Sequence, residues 1–304
     1  MNPRLTRALT VMGLSVLGAT SPVFGHSKRS VQVAHTARAQ GNAACHGEVI
    51  PAGGQALAAA LASAPAAARL CLGPGVHAAG LTIERSVTLA ASDPSAATTL
   101  QGDGRGPVLR VDADGILLRL EGLTLENGSA DAGGGLSVRG RGVVQVEDCT
   151  FRGNRAGMAG GGGLYARSGS LSVERTRFHG NSGKQGGGVW LDQVVKADLS
   201  RCAFAENQSD RGGAMSISEG AVVDLRACSA TANKAAQFAA ALWVHGSKSR
   251  KPVVRLQVCD IEGALTNGPE IPGTIDAKGS TLPASWRGAV KDRGGNSWRA
   301  LPPE

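Results

Sequence analysis

The chain has 304 residues, 44 of them glycine, only 3% aromatic residues and a formal charge of +8. A globule of this length needs more large side chains for its core than this composition supplies, which points to a narrow, repetitive interior. The positive charge favours anionic partners such as lipopolysaccharide or acidic glycans. No Lys/Arg run exceeds two residues, so a nucleic-acid partner is not expected.

Met1 to Gly25 reads as a secretory signal: Arg4 and Arg7 precede a short apolar stretch from Ala8 to Ala19, with Val23-Phe24-Gly25 near the cleavage point. An uncleaved anchor is the competing reading. Export makes the protein secreted, periplasmic or displayed on a bacterial surface, with no transmembrane span in the mature chain. Residues 26–44 are polar and alanine-rich and read as a disordered lead-in.

Residues 45–75 read as an N-terminal cap. Ala52 to Ala64 is expected to be helical, ending at Pro65, and Arg69 to Leu72 to be the first strand. Such a helix covers the open edge of the first coil of a solenoid. Cys45 and Cys71 flank it, and in an exported chain their pairing would staple the cap, worth about 3 kcal/mol.

Residues 76–265 carry the repeat. Asn154, Asn181, Asn207 and Asn233 follow one another at intervals of 27, 26 and 26 residues. Each lies three residues after a Phe151, Phe178, Phe204 or Ala230 slot and before a small-residue pair: Gly162-Gly163, Gly187-Gly188, Gly212-Gly213 or Ala240-Ala241. Alternating apolar pairs precede each anchor, among them Val144 with Val146 and Leu171 with Val173. Alternation means strands, and the period means stacked coils that bury a shared core. The predicted fold is all-β: a single-stranded right-handed parallel β-helix with a short capping helix. Ser247 to Pro252 reads as a protruding loop, and 266–304 as a C-terminal cap or tail.

Phe151-Arg152-Gly153-Asn154, Phe178-His179-Gly180-Asn181, Phe204-Ala205-Glu206-Asn207 and Gly212-Gly213-Ala214-Met215 resemble the two marks of the chlamydial polymorphic outer-membrane protein repeat. The cap order is similar to the N-terminal region of pectin-lyase-like proteins. The first resemblance implies an adhesion-like role at a cell surface. The chain departs from that family in Ala230, in the alanines of the fourth coil, and in ending too soon after the repeats for a membrane barrel.

Two columns follow from stacking. Asn154, Asn181, Asn207 and Asn233 should form an amide ladder at one corner. Cys149, Cys202, Cys228 and Cys259 share one inward position, as buried thiols or with Cys202–Cys228 or Cys228–Cys259 paired.

For catalysis the residues offer no convergent pattern. Glu147-Asp148 and Glu174, beside Arg175 and Arg201, read as a charge ladder. No catalytic residue, metal ligand set or cofactor motif is assigned. An outward column of Tyr165, Trp190, Met215 and Trp243, with Arg167 and Asp192 beside it, is the candidate binding surface, either open or covered. Coil four leaves Met215 and Ile217 ambiguous between core and surface. The functional expectation is a non-catalytic surface-binding, adhesin-like or structural module, with an acidic glycan or cell-surface component as partner. The alternative is a polysaccharide lyase or glycoside hydrolase.

Overall fold

The computed structural model describes residues 45, 47–193, 196–267, 273–286 and 290–300. The signal expected over 1–25 and the lead-in over 26–44 lie outside the described residues.

Four parallel sheets run side by side along the coil axis. Each full coil passes through them in a fixed order, as in Val143–Glu147, Thr150–Arg152, Arg155–Gly160 and Leu164–Ala166. These sheets are termed wall 1, wall 2, the arm and wall 3. Among the described residues wall 1 has eleven strands, wall 2 ten, the arm five and wall 3 eight. Every pair between named strands is parallel, and the coil is right-handed, the hand that twisted parallel strands impose on their crossovers.

Alternation explains which side chains face in. Leu118, Val144, Leu171, Ala197, Val223 and Val254 stack along wall 1. All are buried. On wall 2, Phe151, Phe178 and Phe204 lie one above another, with centroids 4.9 and 5.0 Å apart and rings nearly parallel. Ala230 and Ile261 continue that column.

At the corner after wall 2 the asparagines are buried. Asn154 donates from its backbone N and its Nδ2 to Oδ1 of Asn181, at 3.0 and 3.1 Å. Asn181 repeats this toward Asn207, and Asn207 toward Asn233. The second Nδ2 hydrogen of Asn181 goes to the Phe151 carbonyl of the preceding coil. The ladder thus satisfies corner groups that would otherwise be buried without partners. Gly128 holds the same slot one coil earlier and can only donate its N–H to Asn154 Oδ1.

Cys45 and Cys71 form a disulfide. The four column cysteines are free and buried. Each of Cys202, Cys228 and Cys259 donates its thiol to a carbonyl of the preceding coil, at 3.3–3.5 Å. Burial pushes the Cys149 thiol up to about 12, so it stays protonated.

Two boundaries differ from the sequence reading. The helix is Ala56–Ser63, shorter than 52–64, because Gly53 and Gly54 adopt positive φ ahead of it. Coiling also does not stop at 265. Thr274–Lys278 pairs with Val253–Gln257, Thr281–Pro283 extends wall 2, and Ser297–Arg299 pairs with Thr281–Pro283. Ile275, Ala277, Leu282 and Trp286 carry the core onward. The loop at 247–252 is a tight turn with a Ser247–Arg250 bridge.

Candidate functional site on the outer face of wall 3

Outward positions of wall 3 form two adjacent columns. Register pairing places Arg110, Ser137, Tyr165, Trp190, Ser216 and Trp243 in the first. In the second, Asp192 pairs with Ser218 and Ser218 with His245. Arg139 and Arg167 each follow the end of their wall 3 strand by one residue, at the same position of successive coils.

This corrects the expected column at coil four. Met215 pairs with Val189 and Leu242, and Ile217 with Leu191 and Val244, all buried in the core. Ser216 and Ser218 take the outward places. The sequence reading paired Gly212-Gly213 with Gly187-Gly188, whereas Gly213-Ala214 is the true equivalent. Such a slip by one residue turns every side chain of the strand to the opposite face. The signal was present: Asn181 to Val189 and Asn207 to Met215 are both eight residues.

A second correction concerns exposure. Tyr165 and Trp243 are only 6% and 5% exposed, while Trp190 is half-buried. What lies over them is the glycine corner that leads from the arm into wall 3. Gly161 has φ +70°, and a Cβ there would lie 2.6 Å from the Leu164 carbonyl oxygen and 3.0 Å from Tyr165 Cβ. Gly212, with φ +68°, would lie 3.1 Å from Trp243 Cβ. Only glycine lets the backbone fold back this closely.

The aromatic groups then pair along the axis. Tyr165 and Trp190 rings are 4.8 Å apart and tilted by 44°. Trp243 stacks on His245 at 3.7 Å and on Phe238 at 6.5 Å, with the Arg211 guanidinium 5.2 Å from the Trp243 ring. Trp243 Nε1, Ser216 Oγ and His245 Nδ1 are buried without hydrogen-bond partners among the described residues. The C-terminal end of the face is therefore packed, and toward the other end Ser137 and Tyr165 are buried while Arg139 and Arg167 are exposed.

Polar groups at the centre are linked. Trp190 Nε1 donates to Ser218 Oγ at 3.2 Å, and Ser218 Oγ donates to Asp192 Oδ1 at 3.0 Å. Burial raises the Asp192 carboxyl above its ordinary value, against the Ser218 hydrogen bond and the positive charge of Arg167. Burial also raises the Tyr165 phenol, with Asp192 adding and Arg167 and Arg139 opposing. Burial, helped by Arg211, lowers the His245 imidazole to about 4, so it is neutral near pH 7. Arg139 and Arg167 are exposed, and among the described residues neither has a carboxylate at ion-pair distance.

The other charged face behaves differently. On wall 1, Arg175 holds Glu147, Asp148 and Glu174 together, with Nε donating to Asp148 at 2.8 Å. Arg226 pairs with Asp198, Arg255 with Asp224 and Arg293 with Asp276. The expected charge ladder is satisfied internally. Among the described residues no group of three His, Cys, Asp or Glu side chains could hold a metal ion.

The family described as "right handed beta helix region" matches residues 107–257. No curated protein matches the chain significantly. Among solved structures, the pectin methylesterase from Aspergillus niger in deglycosylated form is similar at 15% identity and a TM-score of 0.39, over 86% of this chain and 82% of that one. The same enzyme with a single N-acetylglucosamine stub matches at 15% identity and a TM-score of 0.37, over 82% of this chain and 77% of that one.

Proposed function

We propose that the protein is an exported, non-catalytic β-helix that binds an acidic polysaccharide on the outer face of wall 3. The observation that carries this reading is the pair Arg139 and Arg167. They are exposed, free of carboxylate partners among the described residues, and one rung apart, beside the Tyr165–Trp190 ring pair. Rungs repeat about every 4.8 Å, close to the length of one pyranose residue in an extended chain. Guanidinium groups suit carboxylates, and the half-buried Trp190 ring offers its exposed part to the apolar face of a sugar. The Cys45–Cys71 disulfide supports an oxidising compartment outside the cytoplasm. Adhesion to a cell surface, as the chlamydial repeat resemblance implies, is one use of such binding.

The test is affinity electrophoresis of the full chain in gels containing polygalacturonate or a neutral glucan. Retardation by the acidic polymer, lost on Trp190→Ala, is expected. Equal mobility in both gels would refute the reading.

A second reading, a polysaccharide-cleaving enzyme, draws on one observation: Asp192 has a raised carboxyl and feels the charge of Glu219. Paired carboxylates in unlike environments are what glycoside hydrolysis uses. Release of reducing ends from an acidic polysaccharide, abolished by Asp192→Asn and by Glu219→Gln, would favour this reading over simple binding.

A further inference from the structure

The outward column of wall 3 begins before the residues considered so far. Leu81–Thr82 pairs with Leu109–Val111, which pairs with Leu136–Val138. Thr82 and Arg110 therefore precede Ser137 and Tyr165 in one continuous line.

Two features set this end apart. The arm starts only at Ser129–Ala132, so no arm strand stands beside the first two rungs of wall 3. In its place a cleft of about 480 Å³ opens between the 79–82 segment and the 103–112 segment, with Asp103, Arg105, Arg110 and Asp112 around it. Beyond Leu81–Thr82 a second, smaller pocket is lined by Ala58, Leu61 and Ala62 of the capping helix and by the segment from Leu81 to Arg85. Leu81–Thr82 is the last strand of wall 3, so the larger cleft lies at the end of that face.

The charges of the cleft are not consumed internally. Asp103 Oδ1 accepts the backbone N–H of Arg105 at 2.9 Å, which shapes the loop. No carboxylate lies at ion-pair distance from the Arg105 guanidinium among the described residues. Arg110 reaches Asp112 only at 3.9 Å, with both side chains largely in solvent, so that pair is loose and open to exchange.

Resting on the acidic-glycan reading above, we propose that this cleft is the terminal subsite of the wall 3 face. It receives the end of an acidic polysaccharide, with Arg105 and Arg110 binding its last carboxylate. The chain then runs along the solenoid axis past Arg139 and Arg167 to the half-buried Trp190 ring. The ligand class is an oligomer or polymer with carboxylates on successive sugar residues, because the cations occur on successive rungs. Asp192 begins a stretch where a further carboxylate on the ligand is disfavoured by like charge.

The experiment is calorimetric titration of the full chain with galacturonate oligomers of increasing length. The arms are wild type, Arg105→Ala/Arg110→Ala, the charge reversal Arg105→Glu, and Arg139→Ala/Arg167→Ala. Arg105, Arg139 and Arg167 are exposed and Arg110 is partly buried, and circular dichroism checks that each variant is folded. Wild-type affinity is expected to rise with length until the ligand spans the rungs from Arg110 to Trp190. The Arg105→Ala/Arg110→Ala variant should bind the longest oligomer at least tenfold more weakly and lose the last step of the length dependence, and Arg105→Glu should weaken it as well. If Arg139→Ala/Arg167→Ala weakens binding while both cleft variants match wild type at every length, the terminal subsite is overturned and glycan binding on wall 3 stands. If no variant changes affinity, both are overturned.

Discussion

Walls 1 and 3 are built from the same coil yet use their outward residues in opposite ways. On wall 1 stacked outward carboxylates have arginine side chains at ion-pair distance. Asp198 and Asp224 sit directly opposite one another, and Arg226 and Arg255 from the next rungs relieve the repulsion. On wall 3, Arg139 and Arg167 stack as like charges next to aromatic rings, and among the described residues neither has a carboxylate at ion-pair distance, although Asp192 on the next rung feels the charge of Arg167. Like charges on neighbouring strands cost stability. Wall 1 offsets that cost with direct ion pairs, whereas wall 3 offsets it only at longer range. A parallel solenoid can separate these tasks because backbone ladders, the asparagine corner and the inward residues supply most of what holds the coils together.

The most severe way to break the comparison is to damage the asparagine corner after wall 2, on which the stacking of the coils, and so of both walls, depends. Asn181→Leu removes the acceptor of two Asn154 donors and the donor to the Phe151 carbonyl. Each buried polar group left unpaired costs about 1–3 kcal/mol, so destabilisation of about 3 kcal/mol or more is expected. Thermal unfolding measured by circular dichroism checks it, and an unchanged melting curve would refute the ladder's role.

A milder change separates the walls. Arg175→Gln on wall 1 leaves Glu147, Asp148 and Glu174 without their shared cation. Because these side chains are partly exposed, a loss of about 1 kcal/mol is expected, shrinking at high salt. Polysaccharide affinity should not change, since Arg175 is on the other face.

The remaining effects are in pH dependence. The His245 imidazole is lowered in the folded state to about 4 from 6.5. Its neutral form is preferred by the fold, so this contribution to stability is present above pH 6.5 and lost as pH falls through about 4. His245→Gln should flatten the melting temperature across that window. The Asp192 carboxyl is raised from 3.8, so the sign is reversed: its contribution is present below pH 3.8 and lost as pH rises through the raised value. Asp192→Asn should remove that loss, and identical pH profiles for wild type and both variants would contradict the assigned environments.

The core was legible in the sequence because it obeys a strict period. Phe151, Phe178 and Phe204, the asparagine corner and the inward leucines and valines all repeat with the coil, and stacking follows from that repetition. Coil four was misread because three small residues in a row, Gly212, Gly213 and Ala214, offer two registers that composition cannot separate. The spacing from Asn207 could have decided it. Burial of Tyr165 and Trp243 was not legible, since it depends on how far a glycine corner folds back over the wall. The last coils were missed because Thr274–Lys278 and Thr281–Pro283 lack the asparagine and paired-glycine marks and keep only alternation.

The most direct test of the division between walls uses two variants of equal charge. Arg139→Ala/Arg167→Ala removes two cations from wall 3, and Arg226→Ala/Arg255→Ala removes two from wall 1. Titrated with polygalacturonate at the same ionic strength, the wall 3 variant should bind at least tenfold more weakly than wild type, and the wall 1 variant should bind like wild type. Equal weakening of the two would show that net charge alone governs binding, and would contradict a site on wall 3.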